Sequence, residues 1–120
     1  MSDKLQPHCH HCEKIEDIMI NMPNAQSFER ASETFQLISD PARLRILWLL
    51  CHREVCVNNI AYAVNMSAPA VSHHLRLLKH AGLLTSRRDG KEMLYRLSSS
   101  PEAGLVHKAV DDILDITCPN

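Results

Sequence analysis

Apolar positions along this chain recur at helical spacing over most of its length and switch to alternation once, late. In EKIEDIMI, Ile15, Ile18 and Met19 predict one short amphipathic helix ending before Pro23. From about Ala25 to Ile38, Phe28, Ala31, Phe35 and Ile38 mark a second helix. SDPARLRILWLL restarts the pattern, with Asp40 placed as N-cap and Pro41 at the first helical position. There Leu44, Leu47 and Cys51 face one way, and Ile46, Leu49 and Leu50 widen the stripe to a mostly buried helix. A short helix fits Val57 to Val64. After the dipeptide NM, Ser67 can cap another that runs to about Ala81, with Val71, Leu75 and Leu78 inward and Gly82 as the stop.

In LLTSRRDGKEMLYRL the period drops to two, and two short strands flank DG, a dipeptide suited to a two-residue hairpin turn because both positions tolerate positive φ. Ser100-Pro101 then opens a last helix, with Leu105, Ala109, Ile113 and Ile116 along one stripe to Thr117. Helix, helix, helix-turn-helix, hairpin, helix is the order of a winged helix-turn-helix domain with one extra helix at each end. The expected fold is mainly α with a small β-hairpin, as residues 25–120, preceded by an arm of residues 1–24. A small core cannot use all the apolar faces of the terminal helices, so they are expected to dimerise with a second copy, making a homodimer. The plainer alternative is that they pad the core of one protomer.

At 120 residues the chain supports a single domain. Its net charge of −1 conceals a strong division: residues 1–40 sum to −4, residues 41–100 to +6 and residues 101–120 to −3. The basic middle coincides with the helix-turn-helix and hairpin, which points to double-stranded DNA as partner. No apolar run approaches the roughly 20 residues of a membrane span, and no secretion signal opens the chain. A cytoplasmic location with no membrane partner is expected. The odd count of five cysteines then favours thiols or metal ligands over a disulfide framework.

A helix-turn-helix sets the start of its second helix in the major groove, where short polar side chains reach base edges while nearby cations hold phosphates. Ser67, Ser72, His73 and His74 fall on or near the exposed side, Arg76 and Lys79 on the following turns, and Arg87, Arg88 and Lys91 on the hairpin. The bland alternative is a solvated face beside a charged hairpin.

LISDPARLRILWLL, EVCVNNIAYAVNMSAPAVSHHLRLLKHAGLL and RRDGKEMLYRL together resemble the ArsR/SmtB family of metal-responsive winged-helix repressors, over about residues 25–117. The resemblance implies a homodimer that holds a palindromic operator when metal-free and releases it when metal binds. It also implies that Ser72 and His73 read bases and that Arg87, Arg88 and Lys91 track the backbone. Ala68 and Pro69 depart from the polar residues of relatives, so readout there falls to apolar contact or is absent.

Cys56 occupies the first cysteine of the family's ELCVCDL box, and Asn58 replaces the second. In the family's cadmium and lead branch this box works with cysteines of an N-terminal arm. PHCHHCEK supplies Cys9 and Cys12 on such an arm. With Cys56 they imply a three-thiolate set, open to His8, His10 or His11 as fourth ligand. Cd(II) or Pb(II) suits such a set, Zn(II) suits one completed by histidine, and arsenite also accepts three thiolates. No organic cofactor or small-molecule substrate is implied. The family's other common site falls on Ser99, Pro101, Asp112 and Asp115, two of which cannot ligate as the family's residues do, so that site is expected to be absent. His107 reads as a surface or interface histidine, Cys51 as a core residue, and Cys118 as an auxiliary ligand or a mobile thiol.

Blander accounts exist for both halves of the thiol set: a histidine-rich terminus can bind metal adventitiously, and a lone Cys56 can pack as a small apolar residue. The competing function is a thiol-redox repressor in which Cys9 and Cys12 oxidise. An enzyme is not expected: thioredoxin-like chemistry needs a βαβ context, and haem attachment fails because Glu13 stands where C-x-x-C-H needs histidine.

Overall fold

The computed structural model describes residues 14–114. The chain divides into two compact units, residues 1–32 and 33–120. In the first, α1 (Ile15–Ile20) buries no residue, and α2 (Ala25–Ile38) starts there and runs on into the second. The second unit continues with α3 (Pro41–Leu50), β1 (Val55–Cys56), α4 (Val57–Val64), α5 (Ala68–His80), β2 (Leu84–Asp89), β3 (Glu92–Leu97) and α6 (Pro101–Leu114). The architecture is mostly helical, with a three-stranded antiparallel sheet in the order β1-β3-β2.

Helix ends form where the chain has the residues for them. Asp40 caps α3 by accepting from the Arg43 amide at 3.0 Å, with Pro41 leading the helix. Ser67 caps α5 by accepting from the Ala70 amide at 3.2 Å. Helix α4 stops at Asn65, whose φ of 57° and ψ of 51° are left-handed. The Met66 amide then donates back to the Ala61 carbonyl at 3.0 Å, and this sets the turn between α4 and α5. Gly82, at φ +83°, closes α5 in the same manner.

The core comprises Ile46, Leu47 and Leu50 of α3, Ile60 and Val64 of α4, Val71, Leu75 and Leu78 of α5, Leu83 and Leu84 at the start of the wing, and Ala103, Val106 and Val110 of α6. The hairpin register is Asp89↔Glu92, so the two turn residues are Gly90 and Lys91, not Asp89 and Gly90. Only Gly90 takes positive φ (+65°), the pattern of a type II′ turn with glycine first.

Two features go beyond the expected pattern. The third strand, β1, pairs Val55 with Tyr95 and Cys56 with Leu94, so the wing is a sheet and not a hairpin alone. On α6 the core takes Ala103, Val106 and Val110, whereas Leu105 and Ile113 of the expected stripe are 69 % and 82 % exposed. The helix has two apolar stripes, and the one facing the protomer core is made of smaller residues that approach α3 closely. On α2, Phe28 and Phe35 are likewise exposed. Ile116, Thr117 and Cys118 lie outside the described residues.

Candidate nucleic-acid interface and thiol site

Helix α5 turns Val71, Leu75 and Leu78 inward, which leaves the stripe Pro69, Ser72, His73, Arg76, His80 on the opposite side. His73 and Arg76 are exposed and Ser72 is half-buried. Ser72, Arg76, Lys79 and His80 line, with Tyr95 of β3, a groove of about 610 Å³. Lys79 donates from Nζ to Ser86 Oγ at 2.6 Å, tying the helix to the wing. Ser67 is exposed at the head of α5, its oxygen occupied by the cap.

His74 turns away from that stripe. It is half-buried against α3, and Arg43 Nη1 lies 3.3 Å from its Nδ1. A guanidinium only donates, so a hydrogen bond between the two requires Nδ1 to accept. Arg43 also donates its Nε to the Leu37 carbonyl. Sequence reasoning missed Arg43, because the contact joins residues 31 positions apart.

Residues directly opposite in a sheet share a face, and neighbours along a strand alternate. The register therefore sorts the wing. Val55, Tyr95, Ser86, Leu84 and Arg88 lie on the inner face, which packs on the core through Leu84, Tyr95 and Val55. Cys56, Leu94, Arg87, Thr85 and Arg96 lie on the outer face. Arg87 and Arg88, adjacent in sequence, thus point to opposite sides. Lys91 is exposed in the turn.

On the outer face Arg87 is engaged. Its Nε reaches both Glu54 oxygens at 3.0 and 2.8 Å, and its Nη2 reaches Oε1 at 2.7 Å. The guanidinium hydrogen bonds hold the Glu54 carboxyl below its usual range, helped by the charges of Arg87 and Arg96. The same bonds push Arg87 further up, with Asp89 adding a weaker attraction.

Cys56 stands at a junction: it is the last residue of β1, paired with Leu94, and the N-cap residue of α4 in extended conformation. Its side chain makes no cap hydrogen bond and it is 8 % exposed. Cys51 is half-buried at the end of α3, with Sγ donating to the Leu47 carbonyl at 3.1 Å, so it is less enclosed than a core residue. The remaining proposed ligands, Cys9, Cys12, His8, His10 and His11, lie outside the described residues. Among the described residues no group of three or more His, Cys, Asp or Glu side chains could hold a metal ion. At the family's second site, Ser99 is exposed, Pro101 opens α6, Asp112 pairs with Lys108 at 3.4 Å and Asp115 lies outside the described residues. His107 pairs with Asp111 at 3.3 Å. Among the described residues no helix is long and apolar enough to cross a membrane.

The family model for the bacterial regulatory protein, arsR family, matches residues 40–86, from the α3 cap into the wing. The HTH-type transcriptional regulator KmtR of Mycobacterium tuberculosis is 42 % identical over 78 residues, which cover 65 % of this chain and 60 % of KmtR. The transcriptional repressor SmtB homolog of Synechocystis is 30 % identical over 103 residues, 86 % of this chain and 78 % of the relative. The cadmium resistance transcriptional regulatory protein CadC homolog of Staphylococcus aureus is 37 % identical over 79 residues, 65 % of each chain. The chain thus spans about three fifths of KmtR and two thirds of the CadC homolog. Among solved structures, the homodimeric winged helix-turn-helix DNA-binding domain Mb0332 of Mycobacterium bovis superposes with a TM-score of 0.67 at 28 % identity, over 79 % of this chain and 89 % of that one. Capped α3, the left-handed turn at Asn65 and the first residues of β2 fall in the matched region, and the chain belongs to the arsR family of bacterial regulatory proteins.

Proposed function

We propose that this chain is a transcriptional repressor that holds operator DNA as a homodimer and releases it when a soft metal ion, Cd(II) or Pb(II) in preference to Zn(II), binds Cys9, Cys12 and Cys56, with His8, His10 or His11 as fourth ligand. Relatives named as transcriptional repressors and as a cadmium resistance regulator support the output and the effector class. The homodimeric Mb0332 domain and the exposed apolar stripes of α2 and α6 support the assembly. The DNA-facing side is formed by Ser72, His73 and Arg76 with Lys79, Arg88 and Lys91, while Ser67 holds the head of the reading helix.

The observation that carries the metal reading is the position of Cys56. A soft cation supplies strong bonds to thiolates. Cys56 is available for one because its side chain is not used in the cap. Since it belongs to both the wing sheet and α4, a pull on its sulfur acts on both elements that place α5. A change of about 1.4 kcal/mol between the two states of the dimer is tenfold in DNA affinity.

The test is an anaerobic titration of the reduced full-length protein with each ion, following thiolate charge-transfer absorbance while fluorescence anisotropy follows promoter DNA. One ion per protomer, saturating as DNA dissociates, is the expected result. Cys56→Ser should keep DNA binding and lose release. DNA release by peroxide and by no ion would replace the metal with thiol oxidation as the signal.

A further inference from the structure

We propose that Glu54 is a built-in competitor for the wing: it holds the Arg87 guanidinium on the outer face of the sheet and so withholds it from the DNA backbone phosphates. The inference rests on the DNA-binding reading above and assigns a positioning role to a residue with no part in it so far.

The geometry gives Arg87 two exclusive partners. A carboxylate gripping Nε and Nη2 at 2.7–3.0 Å occupies the edge of the guanidinium that a phosphate would take in a bidentate contact. The pair is not sealed in the core: the Arg87 side chain is 56 % exposed and that of Glu54 26 % exposed. The guanidinium is therefore within reach of a phosphate once the carboxylate is removed. Glu54 sits just ahead of β1, beside the edge that pairs with β3, whereas Arg87 is carried by β2 on the far side of β3. The bond therefore spans the sheet, and release of Arg87 frees a cation three residues from the exposed turn at Gly90. The Arg87 hydrogen bonds, with the charges of Arg87 and of Arg96 on the same face, hold the Glu54 carboxyl low and keep it ionised and able to compete.

The residue pair makes a specific electrostatic prediction. Each additional phosphate that the protein neutralises on duplex DNA steepens the slope of log affinity against log salt by about 0.9, so two freed arginines per homodimer add about 1.8. The affinity advantage of Glu54→Gln over the wild-type protein should then fall about tenfold between roughly 50 and 200 mM salt. The experiment measures promoter-DNA affinity of the metal-free full-length protein by anisotropy across salt, for wild type, Glu54→Gln, Arg87→Ala and the double variant. The expected result is tighter, more salt-sensitive binding by Glu54→Gln that vanishes in the Arg87→Ala background. Weaker binding by Glu54→Gln would make the pair a structural clamp and overturn the proposal. So would a gain that persists without Arg87, since that would be a general charge effect. A wild-type protein with no salt-dependent duplex binding would overturn the DNA reading itself, and this inference with it.

Discussion

Asn65 is the residue on which the angle between α4 and α5 turns, and replacing it tests whether that angle is set by backbone conformation. Its φ of 57° and ψ of 51° are a region that glycine enters freely and asparagine tolerates. A Cβ branch there crowds the following carbonyl. Asn65→Val should therefore cost about 1–2 kcal/mol. Asn65 is exposed, so no burial change adds to or masks this figure. Set against a typical total of about 5–15 kcal/mol, such a loss leaves nearly every molecule folded. Loss of DNA binding would then report a swing of α5 and not unfolding. Urea denaturation at fixed protomer concentration gives the first quantity and anisotropy on promoter DNA the second. Asn65→Gly should stay close to wild type in both, because the backbone angle is all the position requires. Wild-type stability of Asn65→Val would refute the reasoning, as would a glycine variant as damaged as the valine one.

Three further outcomes follow from the same geometry. Arg88→Ala should lower the salt slope of DNA binding by about 1.8 per homodimer, since Arg88 lies on the wing face that packs towards α5 and no carboxylate among the described residues pairs with it; Arg87→Ala should change the slope less, because Glu54 already holds that charge. Leu75→Ala, at a fully buried position of the reading helix, should cost about 2–5 kcal/mol, read as a lower urea midpoint. The Arg43 amide bond, with help from the charge of Arg43, holds the Asp40 carboxyl below its ordinary value. A depressed folded value means the cap's contribution is complete above the unfolded carboxylate range and is lost as pH falls through the lower folded value. Asp40→Asn keeps a capping oxygen that does not titrate, so its urea midpoint should lie close to that of the wild-type protein at neutral pH and gain on it in acid; a difference that stays constant with pH would refute the assignment.

Local signals carried most of the fold. Asp40-Pro41, Ser67 and Gly82 each act within four residues of themselves, and each element end they imply is where the backbone places it. What stayed hidden acts at a distance. Strand β1 is two residues long, too short for alternation to show, and exists because β3 offers it a free edge. The exposed stripe on α6 was visible, but nothing local distinguishes a stripe facing the protomer core from one facing away; side-chain size made that choice. In the candidate site, Ser72, His73 and Arg76 were legible because helical periodicity alone puts them opposite the core. Arg43 on His74 and Glu54 on Arg87 were not, since these contacts join residues 31 and 33 apart.

Those distant contacts change the electrostatic account of DNA binding. The sequence places a charge of +6 on residues 41–100, which suggests a uniformly basic surface. The fold divides it. Arg43 is turned inward on His74 and the Leu37 carbonyl, Arg45 reaches the Val64 carbonyl, Arg87 is neutralised by Glu54, and Arg53 and Arg96 line the cleft that holds the same carboxylate. On the DNA-binding reading proposed above, Arg76, Lys79, Arg88 and Lys91 are the cations left for phosphates. In a homodimer these eight cations cap the salt slope at about 7, whereas counting Arg87 as a contact raises the cap to about 9. A slope near the lower figure for the wild-type protein that approaches the higher one on removing Glu54 would show that the wing carries its positive charge in reserve. A slope of about 9 in the wild-type protein would mean instead that DNA displaces Glu54 at no measurable cost.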